Sequence, residues 1–537
     1  MPITDFLSNN ARNYPGHAAL AEVSPELRER QAASWREMAL VEAGVKSAAR
    51  REITWKTFDE RANQFANLLL SRGHNRGDKI AILLMNCIEW LPVYFGILKA
   101  GLVAVPLNFR YSSDEIKYCL DLSDADALVF GPEFTERVAA VERDLLRVRH
   151  MFFIGEGCPA YAEIFEKRIA AQPKTPPPVE ISETDDAAIY FSSGTTGFPK
   201  AILHIHAALT HACLAEQNHH GQTIDDVFLC IPPLYHTGAK MHWFGSLLSG
   251  GRAVLLRGTN PRWIIDEAAR EKATIVWLLV PWAQDILDVI ESGELKLAGY
   301  DLSRWRLMHI GAQPVPPSLI KRWKTVFPTH EYDTNYGLSE STGPGAVHLG
   351  VENIAKVGAI GKAGYGWQAK IVGDGEVGEL AVKGAGVMKE YYKDPKATAE
   401  VLKQGWLYTG DMARQDEQGF IYLVDRKKDV VITGGENLYP VQIEDFMRTN
   451  KKIRDVAVIG LPDHRLGEIA VAIVAIKENE DCEESEIMQY CADLPRYKRP
   501  KRIIFDEVPR NATGKIEKPR LREKYAGGKV VQLTIDS

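Results

Sequence analysis

The most informative stretch of this chain runs from residue 187 to residue 200 and reads Ala187-Ala188-Ile189-Tyr190-Phe191-Ser192-Ser193-Gly194-Thr195-Thr196-Gly197-Phe198-Pro199-Lys200. Its first five residues are apolar and predict a strand, and a run of hydroxyl and glycine residues follows. Glycine lets backbone N–H groups turn toward an anion, hydroxyl groups donate further hydrogen bonds, and Lys200 adds positive charge. The pattern therefore predicts a loop that binds the phosphates of a nucleotide.

The spacing of this loop excludes the P-loop. That pattern requires G-x-x-x-x-G-K-[ST], whereas Gly194 and Gly197 are only three residues apart and Lys200 precedes Ala201. A flexible Ser/Gly linker is the alternative. Linkers seldom follow a buried type of strand directly and end in Pro-Lys, so we favour the phosphate loop.

Composition bounds the class of protein. The chain has 537 residues, more than one core usually supports, so at least two domains are expected. A net charge of −6 argues against a nucleic-acid-binding protein. The 7 cysteines are scattered without a C-x-x-C pair, which is typical of free thiols in a reducing compartment. Because the N-terminus lacks a basic and apolar leader and no run approaches ~18 apolar residues, we expect a cytoplasmic protein without a membrane span.

The distribution of apolar runs predicts an α/β fold. Short apolar runs near residues 80–85, 127–130, 152–154 and 275–280 alternate with amphipathic stretches such as 57–72, which indicates layered α/β structure with mostly parallel sheet. Residues 24–50 are charged and predict a surface helix or an insertion. Between residues 368 and 424, short strand-like pieces separated by turns predict a small antiparallel, β-barrel-like unit.

A charged run, Asp425 to Asp429, lies at a predicted boundary. We therefore expect a large N-terminal domain of layered α/β subdomains over residues 1–425. A small C-terminal α+β domain is expected over residues 426–537.

Polar segments with glycine recur after the phosphate loop. They are Tyr336-Gly337-Leu338-Ser339-Glu340, Tyr408-Thr409-Gly410-Asp411, Asp425-Arg426, Thr433-Gly434-Gly435-Glu436-Asn437 and Arg510-Asn511-Ala512-Thr513-Gly514-Lys515-Ile516. Taken in this order with the phosphate loop, they resemble the adenylate-forming superfamily of acyl-CoA synthetases, adenylation domains and luciferases, in its acyl- or aryl-CoA ligase branch. The resemblance covers about residues 52–525. It is specific because several motifs occur along the chain in the order that the family has.

The resemblance implies a reaction in two steps. A carboxylate attacks the α-phosphate of ATP to give an acyl-adenylate and pyrophosphate, and the thiol of coenzyme A then displaces AMP. Bringing two anions together requires positive charge and N–H donors at the reacting centre. The implied cofactors and co-substrates are ATP, Mg²⁺ and coenzyme A.

The resemblance also assigns the nucleotide-binding residues. Those that would surround the β- and γ-phosphates are Ser192, Ser193, Gly194, Thr195, Thr196, Gly197 and Lys200. Those that would enclose adenine are Gly311, Ala312, Gln313, Asp333, Asn335, Tyr336 and Gly337, with Tyr336 stacked on the base. Asp411 would accept hydrogen bonds from the ribose hydroxyls, with Arg426 in support.

Four further positions would carry the chemistry and the domain rotation. Ser339, where the family usually has threonine, would contact the α-phosphate, and Glu340 would bind Mg²⁺ through hard oxygen ligands. Lys515 would bridge the substrate carboxylate and the α-phosphate. Lys428 would be the hinge at which the mobile small domain rotates, replacing Lys515 with the Gly434-Gly435 loop beside the pantetheine of coenzyme A.

The acyl site is expected around Pro232-Pro233-Leu234-Tyr235-His236-Thr237-Gly238. His236 would lie near the substrate carboxylate, and the residues lining or flanking the pocket would be Tyr235, Gly238, Lys240 and His242. Amino-acid adenylation domains place an aspartate here, and none is present, so we expect a fatty, aromatic or alicyclic acid. Lys240 and His242 either meet a distal polar group of the acid or reach solvent and a backbone carbonyl.

Other interpretations stay open or are disfavoured. An adenylating enzyme that loads a carrier protein and a nucleotide-binding protein without activity are the alternatives to a CoA ligase, and a homodimer is plausible. An α/β-hydrolase is disfavoured because the sequence at Gly337-Leu338-Ser339-Glu340-Ser341 lacks the last glycine of G-x-S-x-G. A zinc site is disfavoured for a group of five histidines, which are better explained by packing and surface positions: His204, His206, His211, His219 and His220.

Overall fold

The computed structural model describes residues 1–29, 34–35, 38–39, 49–192, 199–237, 245–311, 315–433, 436–477, 480–510 and 516–526. These residues divide into two compact units. The first comprises the described parts of 1–192, 199–369 and 382–407, and the second those of 370–381 and 408–537. The boundary predicted between residues 425 and 426 lies inside the second unit, and the domain limits stay a prediction.

Two large sheets form the first unit. In spatial order, the strands of the first sheet are Glu331–Asp333, Leu307–Gly311, Ile275–Leu279, Val227–Cys230, Arg252–Leu256, Ala18–Val23 and Arg50–Thr54. Those of the second sheet are Glu390–Tyr391, Ala201–Ile205, Asp186–Phe191, Val103–Pro106, Lys79–Leu83, Ala125–Phe130, His150–Phe153 and Glu163–Ile164. Most neighbours are parallel, which confirms the predicted sheet type.

Helices connect these strands. In the first unit they are Thr4–Asn13, Pro25–Glu29, Trp55–Ser71, Trp90–Lys99, Ser113–Ser123, Thr135–Ala139, Phe165–Ala170, His206–His220, Pro261–Arg270, Val280–Glu291, Pro317–Val326 and Pro395–Val401. Short 3₁₀ turns are Pro132–Phe134, Glu142–Asp144, Leu297–Gly299, Ser339–Ser341 and Val351–Lys356. The helix predicted over 57–72 begins at Trp55 because the side chain of Thr54 accepts a hydrogen bond from the N–H of Thr57 at 3.2 Å.

The core of the first unit lies against both sheets. Its fully buried side chains include Trp55, Trp90, Tyr94 and Phe95. Aromatic side chains of this size dominate the apolar area removed from water. The two sheets are therefore held as a rigid base from which loops present polar groups.

Smaller sheets complete the described chain. A three-stranded sheet is formed by Asn335–Leu338, Gly343–His348 and Lys362–Ala363. The strands of the β unit expected at 368–424 are Trp367–Val372, Val377–Gly384, Leu402–Lys403, Trp406–Gln415 and Ile421–Arg426. A hairpin of Ser34–Trp35 and Met38–Ala39 is all that is described between residues 30 and 48, so the surface helix expected at 24–50 is present only as Pro25–Glu29 within the described chain.

The second unit contains the expected α+β structure. Its last sheet comprises Glu436–Leu438, Val431–Thr433, Gly467–Ile476, Ile453–Asp463 and Arg502–Phe505. The helices and 3₁₀ turns are Pro440–Met447, Glu484–Tyr490, Cys491–Asp493, Arg496–Lys498 and Lys518–Ala526. Among the described helices of the whole chain, none combines the length and apolar character needed to cross a membrane.

Candidate active site

The stem of the predicted phosphate loop is closed by two hydrogen bonds. The N–H of Ser192 donates to the carbonyl of Lys200, and the N–H of Lys200 donates to the Ser192 hydroxyl, both at 3.0 Å. Strands Asp186–Phe191 and Ala201–Ile205 run antiparallel up to these residues. The loop therefore begins and ends at one point, directly after the predicted strand.

Lys200 and Glu340 approach the same tyrosine. The ammonium of Lys200 lies 4.7 Å from the ring centre of Tyr391, and the hydroxyl of Tyr391 donates to Glu340 Oε1 at 2.8 Å. Burial first, and then the neighbouring Glu340 carboxylate, raise the pKa of Tyr391, so the phenol keeps the proton that it donates. A cation from the phosphate loop and the carboxylate expected to bind Mg²⁺ are thus brought to one side chain.

This meeting point depends on strand pairing. Ile202 pairs with Tyr391 between strands Ala201–Ile205 and Glu390–Tyr391, which places Tyr391 beside the loop stem. The N–H of Met388 donates to the Glu340 carbonyl at 2.7 Å and holds the 3₁₀ turn against the same segment. The sequence analysis did not identify Tyr391, because its role follows from a pairing between distant segments.

Ser339 lies in that 3₁₀ turn. Its carbonyl is 2.8 Å from His204 Nε2, and both Ser339 and Glu340 are only partly buried. Thr342, just after the turn, has a φ of +67°, which sharpens the reversal into the next strand. The turn presents the Ser339-Glu340 pair at the surface of the unit, while His204 supports it from inside.

The predicted adenine residues lie at the ends of parallel strands. Gly311 ends one strand of the first sheet and Asp333 ends its neighbour, the position at which α/β sheets bind ligands. Tyr336 is 8% exposed, and the Asn335 amide donates to Glu216 Oε1 at 3.1 Å. Gly337 follows in the same strand, partly buried.

Asp333 points away from the surface. It is fully buried, and Oδ1 accepts from the N–H of Gly350 at 2.9 Å while Oδ2 lies 3.1 Å from His348 Nε2 and 3.2 Å from His220 Nε2. Burial opposes its ionisation, but the surrounding imidazoles outweigh burial and hold the pKa of Asp333 well below its ordinary value. A contact between this residue and adenine stays a prediction.

The predicted ribose residues form an ion pair in the second unit. Asp411 and Arg426 are opposite each other in antiparallel strands, and Arg426 Nε lies 2.6 Å from Asp411 Oδ1. Asp411 is 3% exposed, and Gly410 before it has a φ of +72°, a conformation that glycine adopts readily. The two residues that sequence analysis paired are therefore in contact, and their role toward ribose stays a prediction.

Lys428 is exposed in a turn after Arg426. The Arg426 carbonyl accepts from the N–H groups of Asp429 and Val430 at 2.8 and 3.1 Å. Although Lys428 is exposed, desolvation by neighbouring protein atoms, ahead of the charges around it, lowers its pKa. Its place in a tight turn is compatible with a hinge, and that role also stays a prediction.

The loop expected at the acyl site is held by Asn86. Its amide oxygen accepts from the N–H of Leu234 at 2.8 Å, and its amide nitrogen donates to the Pro232 carbonyl at 2.9 Å. The Tyr235 ring packs edge-on against Phe109 at 5.1 Å, and the His236 N–H donates to the Pro233 carbonyl at 3.0 Å.

A small cleft with a volume of about 10 Å³ adjoins this loop. Its lining residues are Met85, Asn86, Phe109, Pro233, Leu256, Arg257 and Gly258. Sequence analysis missed Asn86, Phe109 and Arg257, because no local motif marks residues that reach the loop from the segments after other strands.

Several predicted residues lie outside the described chain. They are Ser193, Gly194, Thr195, Thr196, Gly197, Gly238, Lys240, His242, Ala312, Gln313, Gly434, Gly435 and Lys515. Their roles stay predictions. Of the five histidines for which zinc was disfavoured, His204, His206, His211 and His220 are buried, and their interpretation as packing or surface residues stays a prediction.

The closed stem of the loop, with Lys200 and Glu340 at one tyrosine, is compatible with the adenylate-forming class, and comparison with known families shows that class. The sequence models of two families match: "AMP-binding enzyme" over residues 27–392 and "AMP-binding enzyme C-terminal domain" over residues 442–515. The chain therefore belongs to the AMP-binding enzyme family, in its acyl- and aryl-CoA ligase branch, and is an AMP-forming acid–thiol ligase.

Individual relatives agree with this assignment. The chain is 32% identical to long-chain-fatty-acid–CoA ligase FadD13 of Mycobacterium tuberculosis, covering 93% of this chain and 98% of the relative. It is 32% identical to a feruloyl-CoA synthase of Amycolatopsis, covering 88% and 94%. Among solved structures, ATP-bound MatB from Rhodopseudomonas palustris superposes with a TM-score of 0.83 at 25% identity, covering 98% of this chain and 99% of that one.

Proposed function

We propose that the protein joins an apolar carboxylic acid to coenzyme A through an acyl-adenylate. The observation that carries this proposal is the contact of Lys200 and Glu340 with Tyr391, 4.7 Å from the ring centre and 2.8 Å from the hydroxyl. A lysine and a carboxylate at one point, beside a closed glycine-rich loop, suit a triphosphate whose charge is shared between a cation and a metal ion.

In the first step, a carboxylate oxygen of the acid attacks the α-phosphorus of ATP, and the bond to the bridging oxygen of the β-phosphate breaks. Lys200 and the loop after Ser192 stabilise the departing pyrophosphate. Glu340 holds Mg²⁺, which neutralises phosphate charge when bound. Lys515 orients the two reacting anions, and Ser339 contacts the α-phosphate.

In the second step, the thiol of coenzyme A loses its proton to solvent, its sulfur attacks the acyl carbonyl, and AMP leaves with the bonding electron pair. Asp411 and Arg426 retain the ribose during this step, and rotation at Lys428 brings Gly434 and Gly435 to the thiol. We propose that ATP, Mg²⁺ and coenzyme A are used in the cytoplasm, where all three are available. Homodimer formation remains part of the proposal.

The acid is proposed to be monocarboxylic with an apolar body. Met85, Phe109 and Leu256 give the described wall of the cleft its apolar character. The guanidinium of Arg257 lies 3.0 Å from Glu133, and both side chains are buried, so its positive charge is already balanced. A second carboxylate on the acid would meet no surplus charge on this wall.

Pyrophosphate release with a panel of acids tests the proposal. Fatty, aromatic and alicyclic acids, each with its ω-carboxy analogue, are assayed with and without coenzyme A. We expect release with apolar monocarboxylic acids, and acyl-CoA only when coenzyme A is present. A preference for the ω-carboxy analogues, abolished in Lys240→Ala or His242→Ala, would overturn the acid class and support a distal polar contact.

Glu340→Gln tests the site itself. Loss of the metal-binding carboxylate should slow adenylation at least a hundredfold, about 3 kcal/mol. Glu390→Gln is the matched control, because Glu390 precedes Tyr391 in the same strand and lies outside the proposed site. Equal rates in Glu340→Gln and the control would contradict the metal-binding role.

A further inference from the structure

A buried cluster of histidines and one carboxylate includes Asp333, one of the residues predicted to enclose adenine. His220 ends a helix, His309 lies in one strand of the first sheet, Asp333 ends the neighbouring strand, and His348 lies in the three-stranded sheet. Each is at most 4% exposed. These residues come from four separate elements, so the fold and not a local motif brings them together.

The ligand atoms of three of these residues, His220, His309 and Asp333, all lie within 4.8 Å of one another. His220 Nε2 lies 3.1 Å from His309 Nδ1 and 3.2 Å from Asp333 Oδ2, and His309 Nδ1 lies 3.8 Å from the same oxygen. His348 Nε2 lies 3.1 Å from Asp333 Oδ2. Metal–ligand bonds of about 2.0–2.1 Å in a tetrahedron place the ligand atoms about 3.3–3.4 Å apart. The observed separations bracket that distance.

The surroundings resemble the outer shell of a metal site. His220 Nδ1, the nitrogen on the far side of that ring, lies 3.4 Å from Glu216 Oε2, and Glu216 Oε1 accepts from the Asn335 amide. Metal-binding histidines commonly direct their second nitrogen to a carboxylate in this way. His348 is buried beside the same carboxylate and directs its Nε2 to Asp333 Oδ2.

We propose that His220, His309 and Asp333 bind one Zn²⁺ ion. Two imidazoles and one carboxylate favour zinc over Mg²⁺ or Ca²⁺, which prefer oxygen ligands in larger number. The ion ties the end of helix His206–His220 to two neighbouring strands of the first sheet. It thereby fixes Asp333, two residues before Asn335, and has a structural role separate from the Mg²⁺ at Glu340.

The experiment measures metal content by mass spectrometry. Because the ligands are buried, the ion enters as the chain folds, so the full chain is prepared from zinc-supplemented cells and passed over a chelating resin. We expect one zinc per chain in the wild type and none in His309→Asn. His330→Gln is the control and should retain zinc, because His330 is equally buried but packs on Trp305 and Phe327 at 4.5 and 4.7 Å.

Cobalt replaces zinc in a second arm that needs no variant. Wild-type protein prepared with Co²⁺ should show the intense visible absorption of a tetrahedral ion, so the proposal remains testable even where a variant fails to fold. Wild-type protein without metal in both preparations would overturn the proposal and assign the cluster to hydrogen bonding alone. Zinc retained in a folded His309→Asn variant would overturn it as well.

Discussion

Asp425 is a buried carboxyl group whose replacement gives a prediction about pH. Its carboxylate accepts from the N–H groups of Arg426 and Val441 at 2.7 and 2.9 Å. Burial raises the pKa of Asp425 to about 6, against the opposing effects of Lys518 and of these two hydrogen bonds. The perturbation is Asp425→Asn, which keeps an acceptor oxygen and cannot ionise.

The magnitude follows from the two pKa values. A raised pKa in the folded state means that this group stabilises the fold below its unfolded value of 3.8, and that this stability is lost as the pH rises through about 6. The difference of about 2 pKa units corresponds to about 3 kcal/mol, of which about half is lost between pH 5 and pH 7.5. Relative to the wild type, Asp425→Asn should therefore gain stability over this range. Asp425→Asn also loses one hydrogen bond. This loss lowers the free energy of unfolding of the variant by about 1 kcal/mol at every pH.

The assay must report on the second unit. All 11 tryptophans of the chain precede residue 408, so tryptophan fluorescence would follow the first unit. Hydrogen exchange of peptides from the buried strands Ile453–Asp463 and Gly467–Ile476 gives the opening free energy of the second unit instead. It is measured for the wild type and Asp425→Asn at several pH values.

Asp463→Asn provides a control of opposite sign. Hydrogen bonds from the N–H groups of Leu466 and Arg465 lower the pKa of Asp463, so its stabilising effect is present above an unfolded value of 3.8 and is lost in acid. A free-energy difference between wild type and Asp425→Asn that stays constant from pH 5 to pH 7.5 would refute the reasoning.

Three variants test the proposed site in the active enzyme. Tyr391→Phe removes the hydroxyl that donates to Glu340, so KM for ATP in steady-state pyrophosphate release should rise about tenfold, the equivalent of about 1.4 kcal/mol. Asp411→Asn weakens the pair with Arg426 and removes a ribose acceptor, so the preference for ATP over 3′-deoxy-ATP should fall in the same assay. Lys515→Ala should slow adenylation at least a hundredfold, about 3 kcal/mol, and should still convert supplied acyl-adenylate to acyl-CoA.

Controls separate these effects from general loss of stability. Tyr392→Phe loses a hydroxyl that donates to Asp124 at 3.0 Å and should leave KM unchanged. An equal rise in KM for Tyr391→Phe and Tyr392→Phe would contradict the role of Tyr391. For Lys515→Ala, equal losses in both half-reactions would contradict a role confined to adenylation.

The elements of the fold were predictable where local patterns determine them. The apolar run before the phosphate loop predicted a strand at 187–191, and the structure has it at Asp186–Phe191. Mostly parallel sheet followed from the alternation of strand and helix patterns. The helix predicted over 57–72 begins two residues earlier, at Trp55, because Thr54 caps it, a detail that apolar periodicity does not contain.

The site was predictable only in part. Asp411 and Arg426 were paired in advance through the resemblance, and strand register brings them together. The sequence did not predict the contacts of Tyr391, His309 and His348. Each of these residues reaches its partners through tertiary contacts between segments far apart in sequence. A single sequence contains no spacing rule for such contacts.

The most direct test of adenylation follows one oxygen atom. The best acid from the panel is labelled with ¹⁸O in its carboxylate and converted in full with ATP and coenzyme A, and AMP is analysed by mass spectrometry. Attack on the α-phosphorus predicts one ¹⁸O atom in the phosphate of AMP. Unlabelled AMP, or label in inorganic phosphate with formation of ADP, would contradict the account.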